Sequence, residues 1–189
     1  MEPGEWYCDF APGDPVHGDY HDTEYGFPKT DEAALLELLS LEIFQAGLSW
    51  AIVLKKRATT VAAFEGFDVD TVAAYKKRAI NRLLKDEGII RNRLKIESII
   101  DNAKTIQAMR ESHGGFANWI ATHHPLTRAD WTRLFKKTFR FTGGEIVNEF
   151  LMSIGYLPGS HRESCSVYKK IKKAGPPWMK VKAGFYKST

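Results

Sequence analysis

Two cysteines stand at opposite ends of this 189-residue chain, each in the company of histidine. Cys8 precedes His17 and His21, and Cys165 follows His161 by four positions. A His-x3-Cys spacing puts both side chains on one face of a helical turn. Two thiolates with two imidazoles make a closed tetrahedral set of the kind that holds Zn²⁺. A closed set leaves no position for water, so such a site is structural and would clip the two ends of the fold together. His17 and His21 are themselves four apart, and spacing does not choose between them.

A second feature is a carboxylate in the wrong place. Leu35, Leu38, Leu39, Glu42 and Ala46 recur at i, i+3, i+4, i+7 and i+11, which puts Glu42 on the apolar stripe of its helix. Burying a carboxylate there is costly unless it is hydrogen-bonded or lines a cavity. The two readings are a Glu that bonds a nearby backbone N–H, and a pocket acid that meets a donor-bearing ligand. A third feature is Lys136-Lys137-Thr138-Phe139-Arg140-Phe141-Thr142-Gly143-Gly144. A tight turn ending in Gly-Gly at a helix start aims backbone N–H groups outward, and the flanking Lys and Arg suit phosphate. Ordinary helix connections share this pattern.

The elements that must position these groups are helices. Thr30 reads as an N-cap for a helix from about 31 to 46, stopped by Gly47. Ser49 caps the next, 50–64, and Asp68 a short one to 75. Further helices are predicted over 77–86, 91–111, 116–121, 128–137 (capped by Thr127) and 144–154. Residues 1–29, rich in Pro, Gly and aromatics, read as irregular. No segment alternates as a strand does, so the fold class is all-α.

Composition sets the frame. An apolar fraction of 43% with five Trp and eleven Phe fills a core and excludes a disordered chain. Residues 1–5 carry no basic or apolar leader pattern, and no run approaches a membrane span. A cytoplasmic protein with no membrane contact is expected. The net charge of +4 is segregated. Lys169, Lys170, Lys172, Lys173, Lys180, Lys182 and Lys187 stand in a tail with no acid, leaving residues 1–165 at −3. The tail reads as a solvated terminus or a polyanion contact.

These features come in an order that resembles one family. Tyr20-His21-Asp22-x-Glu24-Tyr25-Gly26 is followed by Leu41-Glu42-x-x-Gln45-Ala46-Gly47-Leu48-Ser49-Trp50 and Leu54-Lys55-Lys56-Arg57. Then come Gly88-Ile89-Ile90-Arg91-Asn92-Arg93-x-Lys95-Ile96, Phe139-x-Phe141-x-Gly143 and His161-x3-Cys165. The set is similar to bacterial DNA-3-methyladenine glycosylase I and covers about residues 6–168.

The resemblance implies a helix-hairpin-helix glycosylase body whose termini are joined by one structural Zn²⁺. Its ligands would be Cys8, His21, His161 and Cys165, with His21 preferred to His17 because it follows the matched Tyr20. It implies one domain over 1–168: a helical core 30–155, a helix-hairpin-helix 131–154 and zinc-joined termini 1–29 and 156–168. The Lys-rich tail 169–189 lies beyond it. The implied activity is hydrolysis of the N-glycosidic bond of 3-methyladenine in double-stranded alkylated DNA, by a monomer. Glu42 would hydrogen-bond the extruded base, Trp50 stack on it and Tyr20 add a hydroxyl contact. Tyr25 would form the pocket edge, where the family commonly has Trp. Gly47 and Leu48 would enter the gap in the duplex, and Phe139, Arg140, Phe141 and Gly143 would meet DNA. The stretch 157–161 lacks the acid that many helix-hairpin-helix glycosylases place beyond the hairpin. No pocket Lys follows the hairpin either, so a monofunctional hydrolase without strand cleavage is expected. The alternatives are an inactive damage-binding protein of the same fold and a catalytic-zinc hydrolase.

Overall fold

Side chains that can accept from a backbone N–H set the helix starts. In the computed structural model, which describes residues 6–188, Asp31 accepts from the amide of Ala34 at 2.9 Å and opens a helix at Glu32. The expected cap Thr30 is displaced by one residue, because the carboxylate of Asp31 is the group in reach. Asp68 accepts from Thr71, Asn92 from Lys95 and Thr127 from Asp130 in the same way. Ser49 holds its cap position without a side-chain bond.

The helices are α1 (Tyr7–Phe10), α2 (Gly18–Thr23), α3 (Glu32–Gln45), α4 (Trp50–Ala63), α5 (Val69–Ala73) and α6 (Lys77–Lys85). They continue with α7 (Arg93–His113), α8 (Phe116–His123), α9 (Arg128–Thr138), α10 (Gly144–Ser153) and α11 (Tyr168–Ala174). Short 3₁₀ turns occupy Glu65–Phe67, Pro177–Lys180 and Phe185–Ser188. No strand occurs among the described residues, in agreement with the all-α expectation. Among them, no helix is long and apolar enough to cross a membrane. Residues 1–5, read above as lacking a leader, lie outside the described residues.

Residues 6–29 are not wholly irregular: α1 and α2 form there, each too short to show a period. Aromatic edges hold them, with Tyr7 against Tyr25 at 5.4 Å and Tyr20 against Tyr25 at 5.7 Å between ring centroids.

Helix α3 is the centre of the molecule. It packs against α4, α5, α7, α8 and α10, so Leu35, Leu36, Leu38, Leu39, Leu41, Ile43 and Phe44 are all buried. A helix surrounded on all sides is apolar nearly all round rather than along one stripe. Beside it, α8, α9 and α10 close an aromatic cluster in which Phe116 stacks on Phe150. Phe139, at the end of α9, belongs to that cluster, 5.2 Å from Phe116 and 5.3 Å from Phe135. It is only 4% exposed. The expectation places Phe139 at a DNA-facing surface; in the fold its side chain packs inward and anchors the α9–α10 turn.

The Lys-rich segment is docked. Val167 and Ile171 are buried, and the amide of Trp178 donates to the carbonyl of Gly155 at 3.2 Å. Pro176 presses on Gly155, where a Cβ would come within 2.7 Å of it and φ is +74°. The hydroxyl of Tyr186 donates to the carbonyl of Tyr156. Lys169, Lys170, Lys172 and Lys173 point to solvent from this platform. The reading of a merely solvated terminus missed the docking because its anchors, Val167, Ile171, Pro176, Trp178 and Tyr186, are too scattered for a periodic signal.

Candidate functional site

The cysteines and histidines meet. Cys8 comes from α1 and His21 from α2, while His161 and Cys165 come from the loop before α11; their ligand atoms lie within 4.8 Å of one another. Cys8 Sγ is 3.6 Å from His161 Nδ1, and Cys165 Sγ is 3.5 Å from the same atom and 3.7 Å from His21 Nε2. Bond lengths near 2.3 Å to sulfur and 2.05 Å to nitrogen give a tetrahedron whose S···N edges are roughly 3.6 Å. The other ring nitrogens are already committed: His161 Nε2 to the carbonyl of Tyr25 at 2.8 Å, His21 Nδ1 to Asp22 Oδ1 at 2.6 Å. Each imidazole is thus oriented with one nitrogen aimed into the cluster, the usual outer support of a metal ligand. The donor set, spacing and support all fit a bound metal ion. His17 takes no part, because its Nδ1 pairs with the hydroxyl of Tyr7 at 3.0 Å.

A cavity of about 830 Å³ opens beside this cluster. Tyr20, Tyr25, Glu42, Trp50 and Glu149 line it, together with the turn between α3 and α4 and the first residues of α10. Tyr20 and Trp50 meet edge to face at 5.3 Å. The hydroxyl of Tyr20 is buried without a hydrogen-bond partner. Glu42 is 4% exposed and has no hydrogen-bond partner among the described residues, so the backbone-bonded alternative is not what the fold does. Burial first, and then the nearby charge of Glu149, push its pKa well above the usual carboxylate range. The Tyr25 hydroxyl donates to Glu149 Oε2 at 2.9 Å.

Glu149 went unnoticed in the sequence. The inward stripe of α10 is Val147, Phe150, Leu151 and Ile154, at i, i+3, i+4 and i+7, and Glu149 flanks it, so the helical period does not single it out.

The turn 45–49 is held from beneath. Lys95, 5% exposed, donates from Nζ to the carbonyl of Phe44 at 2.9 Å and of Ala46 at 2.6 Å. This caps the C-terminal end of α3 with a cation, where the helix dipole favours one. The same Nζ stands 5.8 Å from the ring centroid of Phe141 in the α9–α10 turn. Gly47 adopts φ +83°, a conformation open to glycine, and nothing lies near its missing Cβ. Leu48 is left 40% exposed at the cavity lip, next to Ile52, which is exposed too.

The α9–α10 turn departs from the expectation of outward N–H groups in one respect. The Arg140 amide donates to Asn102 Oδ1 at 2.7 Å, and Asn102 Nδ2 donates back to the Arg140 carbonyl at 3.1 Å. Arg140 therefore offers its exposed guanidinium, ion-paired with Asp101, rather than its backbone. Phe141 takes φ +59°, and Gly143 and Gly144 line the cavity at the start of α10. Lys136 and Lys137 are exposed beside them.

Comparison with known proteins agrees with this arrangement. A family model described as methyladenine glycosylase matches residues 10–133. DNA-3-methyladenine glycosylase 1 of Escherichia coli is 36% identical over 180 residues, covering 85% of this chain and 96% of that protein. DNA-3-methyladenine glycosylase of Haemophilus influenzae is 33% identical over 177 residues, covering 84% and 95%. Among solved structures, a crystal structure of 3-methyladenine DNA glycosylase I superimposes with TM-score 0.76 at 35% identity, covering 84% of this chain and 97% of that one. A tyrosine-to-phenylalanine variant of 3-methyladenine DNA glycosylase I, in complex with 3-methyladenine, gives TM-score 0.76 at 30% identity over 85% and 96%.

Proposed function

This chain belongs to the methyladenine glycosylase family, and we propose that it hydrolyses the N-glycosidic bond of 3-methyladenine extruded from alkylated double-stranded DNA. One observation carries the reading. The Glu42 carboxyl and the Tyr20 hydroxyl are buried in one cavity beside Trp50, and neither has a hydrogen-bond partner among the described residues. Two buried polar groups without partners are costly, and a ligand that bonds them removes that cost.

The lesion suits the cavity. Extruding a base costs a few kcal/mol, and damaged pairs come out more easily. Methylation at N3 gives the base in DNA a positive charge, which weakens its bond to the sugar, so the leaving group needs little acid catalysis. The absence of an acid from 157–161 accords with this. Trp50 stacks on the cationic purine for about 1–3 kcal/mol. Burial raises the pKa of Glu42 well above the usual carboxylate range; an incoming cation favours its anionic form, which accepts from the exocyclic amine. Tyr20 offers its hydroxyl to the same ligand. Guanine would set a carbonyl against Glu42, and a neutral adenine brings no charge. Tyr25 forms the inner edge of the pocket. Leu48 and Gly47, exposed at the lip, fill the space left in the duplex. Arg140, Lys136, Lys137, Phe141 and Gly143 hold the phosphates and backbone alongside, and no strand cleavage follows.

Cys8, His21, His161 and Cys165 would hold a zinc ion, the metal that two thiolates and two imidazoles in a tetrahedron favour. With four protein ligands its work is structural, joining the two ends of the chain. The pocket and the cluster are each built from residues of one chain, which supports a monomer; the proposed place of action is the cytoplasm.

Incubation with methylated duplex DNA tests the reading. Free 3-methyladenine released above the spontaneous rate is expected, with the sugar–phosphate strand left intact. No release above that rate, with retained binding to the damaged duplex, would establish the inactive binding protein instead.

A further inference from the structure

Two carboxyl groups, not one, face the cavity from helices that pack together. Glu42 comes from α3 and Glu149 from α10, and no lysine or arginine lines the space between. Arg128, whose charge reaches Glu149, is ion-paired with Glu145. Glu149 is anchored through Oε2 by the Tyr25 hydroxyl, and Asn148 Nδ2 donates to Oε1 at 3.4 Å. Burial raises its pKa, while these two donors and the charge of Arg128 pull it back down and Glu145 adds to the rise. The group is close enough to Glu42 for its charge to be felt there. Two neighbouring carboxyls, one buried and one half-buried, resist ionising together until a cation enters.

We propose that Glu149, fixed by Tyr25, is a second charge-reading residue of the pocket, selecting with Glu42 a purine that bears a fixed positive charge over its neutral counterpart. The proposal rests on the base-excision reading and deepens it: Glu149 is a specificity-determining residue. The charge disappears from the base when its bond to the sugar breaks. Glu149 therefore holds the lesion before cleavage and adds nothing to retention of the neutral product.

Isothermal titration with two probes tests this at mildly alkaline pH. One is 3,9-dimethyladeninium, a permanent cation that stands in for the intact lesion; the other is neutral 3-methyladenine. Glu149→Gln keeps an acceptor for the Tyr25 hydroxyl and removes the charge. It should weaken the cation about tenfold, the effect of one partly screened charge, and leave the neutral base within about twofold. Tyr25→Phe removes the donor that fixes Glu149 and favours its anionic form, and keeps the ring. It should lower the cation preference in the same direction, which keeps the test sharp if Glu149→Gln does not fold. Equal effects on both probes, or none, in the variants that fold would overturn the role of Glu149 while leaving base binding intact. Failure of the wild-type protein to bind either probe would overturn the base-pocket reading and this inference together.

Discussion

His161 and Tyr25 are joined by a 2.8 Å hydrogen bond from the imidazole Nε2 to the backbone carbonyl. Tyr25 then donates its hydroxyl to Glu149. One residue thus touches the Cys–His cluster with its backbone and the wall of the cavity with its side chain. The clip between the chain ends and the pocket are mechanically one unit.

Loss of the clip should therefore be felt in the pocket. Cys165→Ser, or removal of the metal with a chelator, should lower Tm by about 5 °C or more. It should also weaken binding of 3-methyladenine, measured by titration at a temperature where the protein is still folded. An unchanged Tm would mean that the cluster holds nothing of consequence.

Glu42 should show a trade of stability for function. Below the ordinary carboxylate pKa, folded and unfolded chains both hold its proton, and the residue adds no pH dependence. Above it, the folded chain keeps a proton that the unfolded chain has released, so stability falls as pH rises until the raised folded-state pKa is passed. Glu42→Gln should melt higher than wild type near neutrality, with the gap closing toward acid pH. Its excision rate should fall on the order of 100-fold. A variant with wild-type turnover would remove Glu42 from the mechanism.

Lys95 should matter beyond its own bonds. Lys95→Met leaves the carbonyls of Phe44 and Ala46 without their donor, at a cost of about 2 kcal/mol. A drop in Tm of about 4–8 °C is expected for a chain of this size. Because the turn it caps carries Gly47 and Leu48, affinity for lesion-bearing duplex should drop more than affinity for the free base.

Leu48→Ala should do the reverse of a core substitution. The side chain is exposed at the lip, so Tm should stay within about 1 °C. Binding to duplex DNA should weaken while titration with free 3-methyladenine is unchanged. Equal losses in both assays would place Leu48 inside the pocket instead.

The lysines of α11 present a different case. Lys169, Lys170, Lys172 and Lys173 are exposed on a helix anchored by Ile171. The segment that follows docks on Gly155, just past the C-terminal end of α10. That end is about 15 Å along the helix from the glycines at its start. Changing all four to Gln should preserve Tm, and the slope of log affinity against log salt for the duplex should change by less than about 0.9, the value of one phosphate contact. A flattening of several times that amount would put the tail on DNA.

Much of this was readable from residue order. The Glu-x-x-Gln-Ala-Gly-Leu-Ser-Trp run, the Tyr-His-Asp box and the two Cys–His pairs specify the family, and the apolar period specifies helices. The misreadings have physical causes. Asp31 rather than Thr30 caps α3 because a cap is chosen by reach, and α1 and α2 are too short to show a period. The inward packing of Phe139 was not legible because a turn sequence does not say which way a side chain packs.

Residue types and spacing alone determined which groups could do chemistry: two thiols, a misplaced carboxylate, a Trp after a Gly-Leu-Ser turn. Local chemistry suffices for that, since helix period and ligand preference act over a few residues. Spacing left His17 and His21 open and the resemblance preferred His21; the tertiary structure supplies the physical reason, because Tyr7 takes one and the cluster the other. It alone left Glu42 and Tyr20 without partners, and it alone brought Glu149, 107 residues further along the chain, to the same cavity as Glu42. Charge and desolvation depend on distance through space, and the chain sets that distance only when it has folded.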